Sequence, residues 1–155
     1  MVVKNKDSIM AKTIYEKSNE ITSVRLNSFS KVYAHEVLLS LESSCDREEN
    51  AQILLDYLCK KFKIERVTLS VTPAARPCNR RNIQTYGCYY PASRRIIIYN
   101  TTAKTKKTIA IKTFYETLLH EFIHHYDMVG LKLGGSPHTS GFYKRIGDLK
   151  EKLGN

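Results

Sequence analysis

The sequence predicts an α+β fold, and three observations carry that expectation. Apolar residues recur at helical spacing in stretches towards both ends of the chain. Between them, residues 66–100 hold short runs rich in β-branched and aromatic residues, broken by proline and turn residues. Strands grouped together, with helices before and after them, favour a small sheet with segregated helices. At 155 residues the chain suits one domain with a core of useful size. The expected division is an N-terminal helical extension over residues 1–45 and one domain over residues 46–155.

Residues 1–27 are polar and mixed, with a short helix expected around Ile9–Glu20. Phe29, Val32, Tyr33, Val37, Leu38 and Leu41 then share one helical face. Ser44 or Asp46 can cap the next helix, whose first turn places Glu48 and Glu49 where the helix dipole favours acids. That helix is expected to reach Phe62 and to bury Ile53, Leu54, Tyr57 and Leu58. Arg66–Thr72 alternates as a strand that Pro73 and Pro77 should end. Asn82–Tyr90 and Arg94–Asn100 read as two more strands, paired as a hairpin through the turn residues Pro91, Ala92 and Ser93. Lys104–Lys107 is a basic loop. A long helix is expected over Ile109–Met128, with Gly130 to stop it. After the loop Gly134, Gly135, Ser136 and Pro137, a last helix spans Ser140–Leu153.

Several classes are excluded. No stretch approaches the roughly 18 apolar residues of a membrane span, and the first ten residues contain no apolar core of an export signal. Cys45, Cys59, Cys78 and Cys88 form no CxxC pair, so a zinc ribbon is excluded. They are expected as reduced thiols in a cytoplasmic protein that is not secreted, located at the nucleoid or nucleus if it is DNA-associated.

The net charge of +10 is unevenly placed. Residues 66–115 contain no Asp or Glu but carry Arg66, Arg76, Arg80, Arg81, Arg94, Arg95, Lys104, Lys106, Lys107 and Lys112. Tyr86, Tyr89, Tyr90 and Tyr99 are interleaved with them. Lys and Arg release counterions from phosphates, and aromatic faces stack on exposed bases. The strip therefore predicts contact with nucleic acid through Arg80, Arg81, Arg94, Arg95, Lys104, Lys106 and Lys107. The plainer alternative is a solvated basic face.

The long helix contains His120, Glu121 and His124 in the pattern HExxH. Histidines at i and i+4 lie on one helical face and can share an ion, Zn²⁺ by the chemistry of the set. Glu121 stands beside them, placed to take the proton of a water at that ion. A catalytic zinc site needs a third protein ligand. His125 is turned about 100° away around the helix and is a poor ligand. His138 follows the loop that reverses the chain and is the expected ligand; Asp148 is the alternative. Asp127 either orients a ligand imidazole or faces solvent. Tyr143 or Tyr126 could assist an oxyanion.

With His138 and Phe142 downstream, HEFIHHYD at residues 120–127 resembles the SprT-like metallopeptidases, the Spartan type. Tyr86–Tyr90 followed by Arg95–Ile98 is similar to the hairpin that precedes the active-site helix in that family. The resemblance covers about residues 50–146, and Thr139 stands where the family carries glycine. It implies a zincin-like fold and a zinc-dependent endopeptidase acting on unfolded or DNA-associated proteins, with the basic strip recruiting DNA, single-stranded or crosslinked; the chain is expected to be a monomer. His120, His124 and His138 would be the metal ligands and Glu121 the general base. The strand at Tyr86, Gly87, Cys88 and Tyr89 would receive substrate as an added strand. The alternative function is a nucleic-acid-binding module with a structural zinc and no catalysis.

Overall fold

A computed structural model describes residues 11–26, 47–76 and 86–154. It has helices on either side, in sequence, of a three-stranded sheet: α1 (Ile14–Glu20), α2 (Arg47–Phe62), β1 (Thr68–Ala75), β2 (Gly87–Tyr90), β3 (Arg95–Thr101), α3 (Ile111–His125) and α4 (Ser140–Lys152). The α+β class and the small three-stranded sheet are as expected. The expected helix over Phe29–Leu41, together with His35, Cys45, Cys78, Arg80, Arg81 and residues 82–85, lies outside the described residues. Among the described residues, no helix is long and apolar enough to cross a membrane.

The sheet order is β1-β3-β2. β2 and β3 form the expected antiparallel hairpin, with Cys88 opposite Ile97. β1 runs parallel to β3, with Leu69 opposite Ile96, a long-range pairing that local spacing cannot reveal. Pro73 does not end β1, which continues to Ala75 through a register shift after Thr72. Proline is tolerated because β1 is an edge strand and Pro73 needs to offer only its carbonyl, which accepts from Thr101 Oγ1 at 2.6 Å.

Side chains of α2 cover the outer edge of β1. Gln52 Oε1 accepts from the Leu69 amide at 2.7 Å, and Gln52 Nε2 donates to the Val67 carbonyl at 2.9 Å. Glu48 accepts from the Val71 amide at 2.8 Å. The buried face of α2 is Ala51, Leu54, Leu55, Leu58 and Cys59, spaced as one helical stripe. Ile53 was expected inside but is 44% exposed, because that stripe is centred about one residue further round the helix.

α3 packs against β2, β3 and α4 and buries Phe114, Leu118, Leu119, Phe122 and Ile123 in the core. Burying side chains of this size contributes about 1.5–3 kcal/mol each. The α-helical part is shorter than expected, ending at His125 and passing into a π turn over Tyr126–Gly130. The helical turn does end at Gly130, but without the left-handed backbone of a glycine cap; an added Cβ there would meet Ile64 at 3.2 Å and the Tyr126 ring at 3.3 Å. The left-handed residues that turn the chain are Lys132 (φ 58°), Gly135 (φ 77°) and Ser136 (φ 38°).

Thr139 then caps α4, its Oγ1 accepting from the Phe142 amide at 3.1 Å. At φ −80° and ψ 169° it occupies extended backbone open to any residue, so glycine is not required there. α1 starts with a capping box between Thr13 and Glu16 and packs on α4. Val24 is buried after it, its amide donating to Asp148 Oδ2 at 2.8 Å.

Candidate metal centre

α3 carries His120 and His124 one turn apart, and the loop closed by Thr139 brings His138 over them. One ligating nitrogen from each of the three imidazoles lies within 4.8 Å of the other two. His124 Nε2 and His138 Nε2 are 2.9 Å apart. Two ligands on a tetrahedral zinc stand about 3.3 Å apart, given Zn–N bonds of about 2.0–2.1 Å, so this set needs only a small opening to admit the ion. Phe142, fully buried, lies under all three, its ring centre 5.0 Å from His120, 4.6 Å from His124 and 5.0 Å from His138. The floor of the site is therefore apolar.

Burial holds His120 and His124 neutral. It pushes His120 down to about 4 and His124 to about 3, and the neighbouring imidazoles add to the effect. Neutral imidazoles are the form that binds a metal. The tautomer of His124 follows from its partner. Ser136 Oγ donates to Asp127 Oδ2 at 2.8 Å, so it accepts from His124 Nδ1–H, also at 2.8 Å. Nε2 of His124 is then left as a lone-pair donor facing the other two rings.

Asp127 is fully buried, which decides between the two sequence readings: it faces His124 through Ser136 and not solvent. Burial pushes its carboxyl up, while Arg145 and the Ser136 hydroxyl pull it back down. Arg145 grips both its oxygens, at 2.9 and 2.7 Å. Asp127 sits in the first turn of the π segment that follows α3, buried together with Tyr126. Asp148, the alternative ligand, is engaged elsewhere, by the Val24 amide and by Lys152 at 2.7 Å. Ser136 and Arg145 are the residues that sequence reasoning missed. Serine beside glycine in a loop resembles ordinary turn chemistry, and only a contact between distant segments reveals its role.

His125 is turned away, as its position on the helix required. Its Nε2–H donates to the Glu65 carbonyl at 2.7 Å, and Nδ1 therefore accepts from the Tyr89 hydroxyl at 2.8 Å. Tyr126 is also removed from the centre, its hydroxyl accepting from the Arg25 amide at 3.3 Å. Tyr143 is 54% exposed and stands over the site, its ring centre 6.4 Å from His120 and 6.0 Å from His138.

Glu121 is buried and lines a cavity of about 240 Å³ with Tyr86, Gly87, Thr113, Glu116, Thr117 and His120. Burial pushes its carboxyl up to about 7, against the Arg76 charge and the Tyr89 backbone amide, which pull it down. A carboxyl near neutrality is suited to general-base work. Gly87 makes the close approach possible: a Cβ there would stand 2.6 Å from Thr117 Cγ2 and 2.9 Å from Glu121 Cγ.

β2 is the sheet edge on this side. Tyr86 O accepts from the Tyr99 amide and Cys88 pairs with Ile97, so the backbone groups of Gly87 and Tyr89 face outward. Arg76 donates to Gly87 O at 2.7 Å, so a strand added here must displace that guanidinium.

Compared with known families, with curated proteins and with solved structures, the chain matches none. The resemblance to SprT-like metallopeptidases thus rests on the residues themselves.

Of the basic strip, Arg66 pairs with Asp56, Arg94 with Glu65, and Arg95 donates to Ser70 Oγ at 2.9 Å. Lys104, Lys106 and Lys107 are exposed on the loop after β3, with no ion-pair partner among the described residues.

Proposed function

We propose that the chain is a zinc-dependent endopeptidase of SprT-like type acting on unfolded or DNA-associated proteins. The observation that carries this reading is the convergence of His120, His124 and His138 next to a cavity that Glu121 lines. The donor set fits Zn²⁺: three imidazole nitrogens converge over an apolar floor, His120 and His124 are kept neutral by burial, and His124 is held in its tautomer by Ser136. Structural zinc sites carry four protein ligands, whereas catalytic ones carry three and leave a position open. The cluster has three members among the described residues.

When bound, zinc would acidify a water and polarise a peptide carbonyl. Glu121 takes the proton of the attacking water and later delivers it to the leaving amine. Thr117 and Gly87 hold that carboxyl against β2. Tyr143, exposed with its ring centre 6.0 Å from that of His138, is the candidate for assisting the oxyanion. An extended substrate would lie along the outward edge of β2, Gly87–Tyr89, where backbone pairing tolerates many sequences. The lysines at 104, 106 and 107 supply the patch that would recruit DNA.

Glu121→Gln tests the proposal. It is expected to keep zinc and to lose about 10²–10⁴-fold in cleavage of an unfolded protein substrate. Cleavage equal to wild type by the zinc-loaded variant would sink the peptidase reading. If DNA affinity then persists with no activity depending on Glu121, the chain is a nucleic-acid-binding module with a structural zinc.

A further inference from the structure

Residues 13–25 precede the domain expected from sequence, yet their bonds lead to two of the three candidate ligands. One route begins at the end of α1. Arg145, fully buried, donates through Nη1 to the Ser18 carbonyl at 2.6 Å and the Ile21 carbonyl at 2.5 Å, and through Nη2 to Ser18 Oγ at 3.1 Å. Its other bonds go to both oxygens of Asp127, which holds Ser136, which holds His124 Nδ1. The second route is shorter. Ser18 Oγ and Thr139 Oγ1 are 2.8 Å apart, buried, and Thr139 follows His138 directly. Asn19 Oδ1 accepts from Ser140 Oγ at 2.9 Å and from the Gly141 amide at 3.3 Å.

The carbonyls at the end of α1 have no helical partners of their own, and a buried guanidinium requires acceptors. Each therefore satisfies the other. If α1 lifts away, Arg145 loses every acceptor but Asp127, and the carboxylate that orients Ser136 is no longer held from behind. Thr139 simultaneously loses its partner beside His138. Ser136, held at a left-handed φ of 38°, has little tendency to keep its place without such support.

We infer that residues 13–25 are a clamp on the metal centre, whose docking positions His124 and His138 and is itself strengthened when the ion is bound. This rests on the proposed metal site. Ser136, Asp127, Arg145 and Thr139 are positioning residues in it, acting on the ion only through the imidazoles. Because coupling between two equilibria is reciprocal, whatever displaces the segment loosens the ion, and loss of the ion loosens the segment.

Gly141 offers a direct test. A Cβ there would stand 2.1 Å from the Ser18 carbonyl oxygen and 2.8 Å from that of Asn19, so alanine pushes α1 off α4. Alanine is the better helix former, so α4 itself is not weakened. Asn19→Ala is a milder variant at an exposed position. The full chain would be titrated with Zn²⁺ against a competing chelator and with Co²⁺ followed by its visible absorption. Amide exchange of residues 13–25 would be read with and without Zn²⁺. Outer hydrogen-bond partners of metal ligands typically contribute 10–100-fold to affinity. Gly141→Ala is expected to weaken Zn²⁺ binding by about that factor and to alter the Co²⁺ spectrum. Asn19→Ala should weaken binding several-fold, and Zn²⁺ should slow exchange across residues 13–25 in the wild type. Should Gly141→Ala fail to fold, Asn19→Ala and the wild-type exchange experiment decide. Zn²⁺ affinity unchanged in the folded variants, or exchange in 13–25 indifferent to Zn²⁺, would overturn the clamp. A wild-type chain that binds no stoichiometric Zn²⁺ would instead overturn the metal site beneath it.

Discussion

Adjacent residues on α3 have opposite tasks. His124 faces the other imidazoles, whereas His125, the next residue, is sealed between Tyr89 and Glu65. The 100° between consecutive helical residues separates them. His125→Phe is therefore expected to leave Zn²⁺ affinity unchanged and to destabilise the fold by about 1–3 kcal/mol, because the Glu65 carbonyl loses its buried donor. A urea midpoint and a Zn²⁺ titration on one preparation check both halves. Gly87 is the counterpart on the strand. Gly87→Ala forces Thr117 or Glu121 aside. Since a misplacement of about 1 Å can cost about 100-fold in rate, cleavage should fall by about that factor while zinc content stays stoichiometric. Unchanged turnover would show that Glu121 need not be held against β2.

At the scale of elements, each end of the sheet has its own arrangement. On the β1 side, Glu48 and Gln52 satisfy outward backbone groups and keep the edge from pairing with another chain. Gln52→Ala leaves the Leu69 amide and the Val67 carbonyl unpaired, at a cost of about 1–3 kcal/mol. Chemical denaturation should show the loss, and light scattering should show increased self-association near the unfolding midpoint. On the β2 side Arg76 donates to Gly87 O and the Tyr89 amide bonds the Glu121 carboxyl, and that edge adjoins the cavity of Glu121 and His120.

Over the whole molecule, the positive excess is less continuous than its distribution in sequence. Arg66 and Arg94 are matched by Asp56 and Glu65, acids that precede the acid-free stretch in sequence but return beside it in space. Among the described residues, the exposed lysines of the β3–α3 loop have no such partners. Lys104, Lys106 and Lys107 reversed to Glu should weaken single-stranded DNA binding and reduce its logarithmic salt slope by about 2, at roughly 0.7 for each phosphate no longer neutralised. A slope unchanged within error would reduce the loop to a solubility feature. Zinc should also act on the whole fold. At about 1,000 times its dissociation constant an ion adds about 4 kcal/mol to the native state, so a chelator should lower the melting temperature by several degrees.

The sequence by itself determined the helix of the site and two of its three candidate ligands. His120, Glu121, His124 and the exclusion of His125 all follow from helical geometry, which is local and needs no knowledge of the rest of the chain. The hairpin of β2 and β3 was legible for the same reason, since a turn of a few residues sets its pairing. Only the tertiary structure decided between His138 and Asp148, turned Asp127 inward, and set β1 parallel to β3. It also placed Ser18 against Thr139, 121 residues apart. Those outcomes depend on which distant segments share a core and on buried polar groups finding partners across it. Spacing carries little information about either, because burial is satisfied by many arrangements until the whole chain is packed.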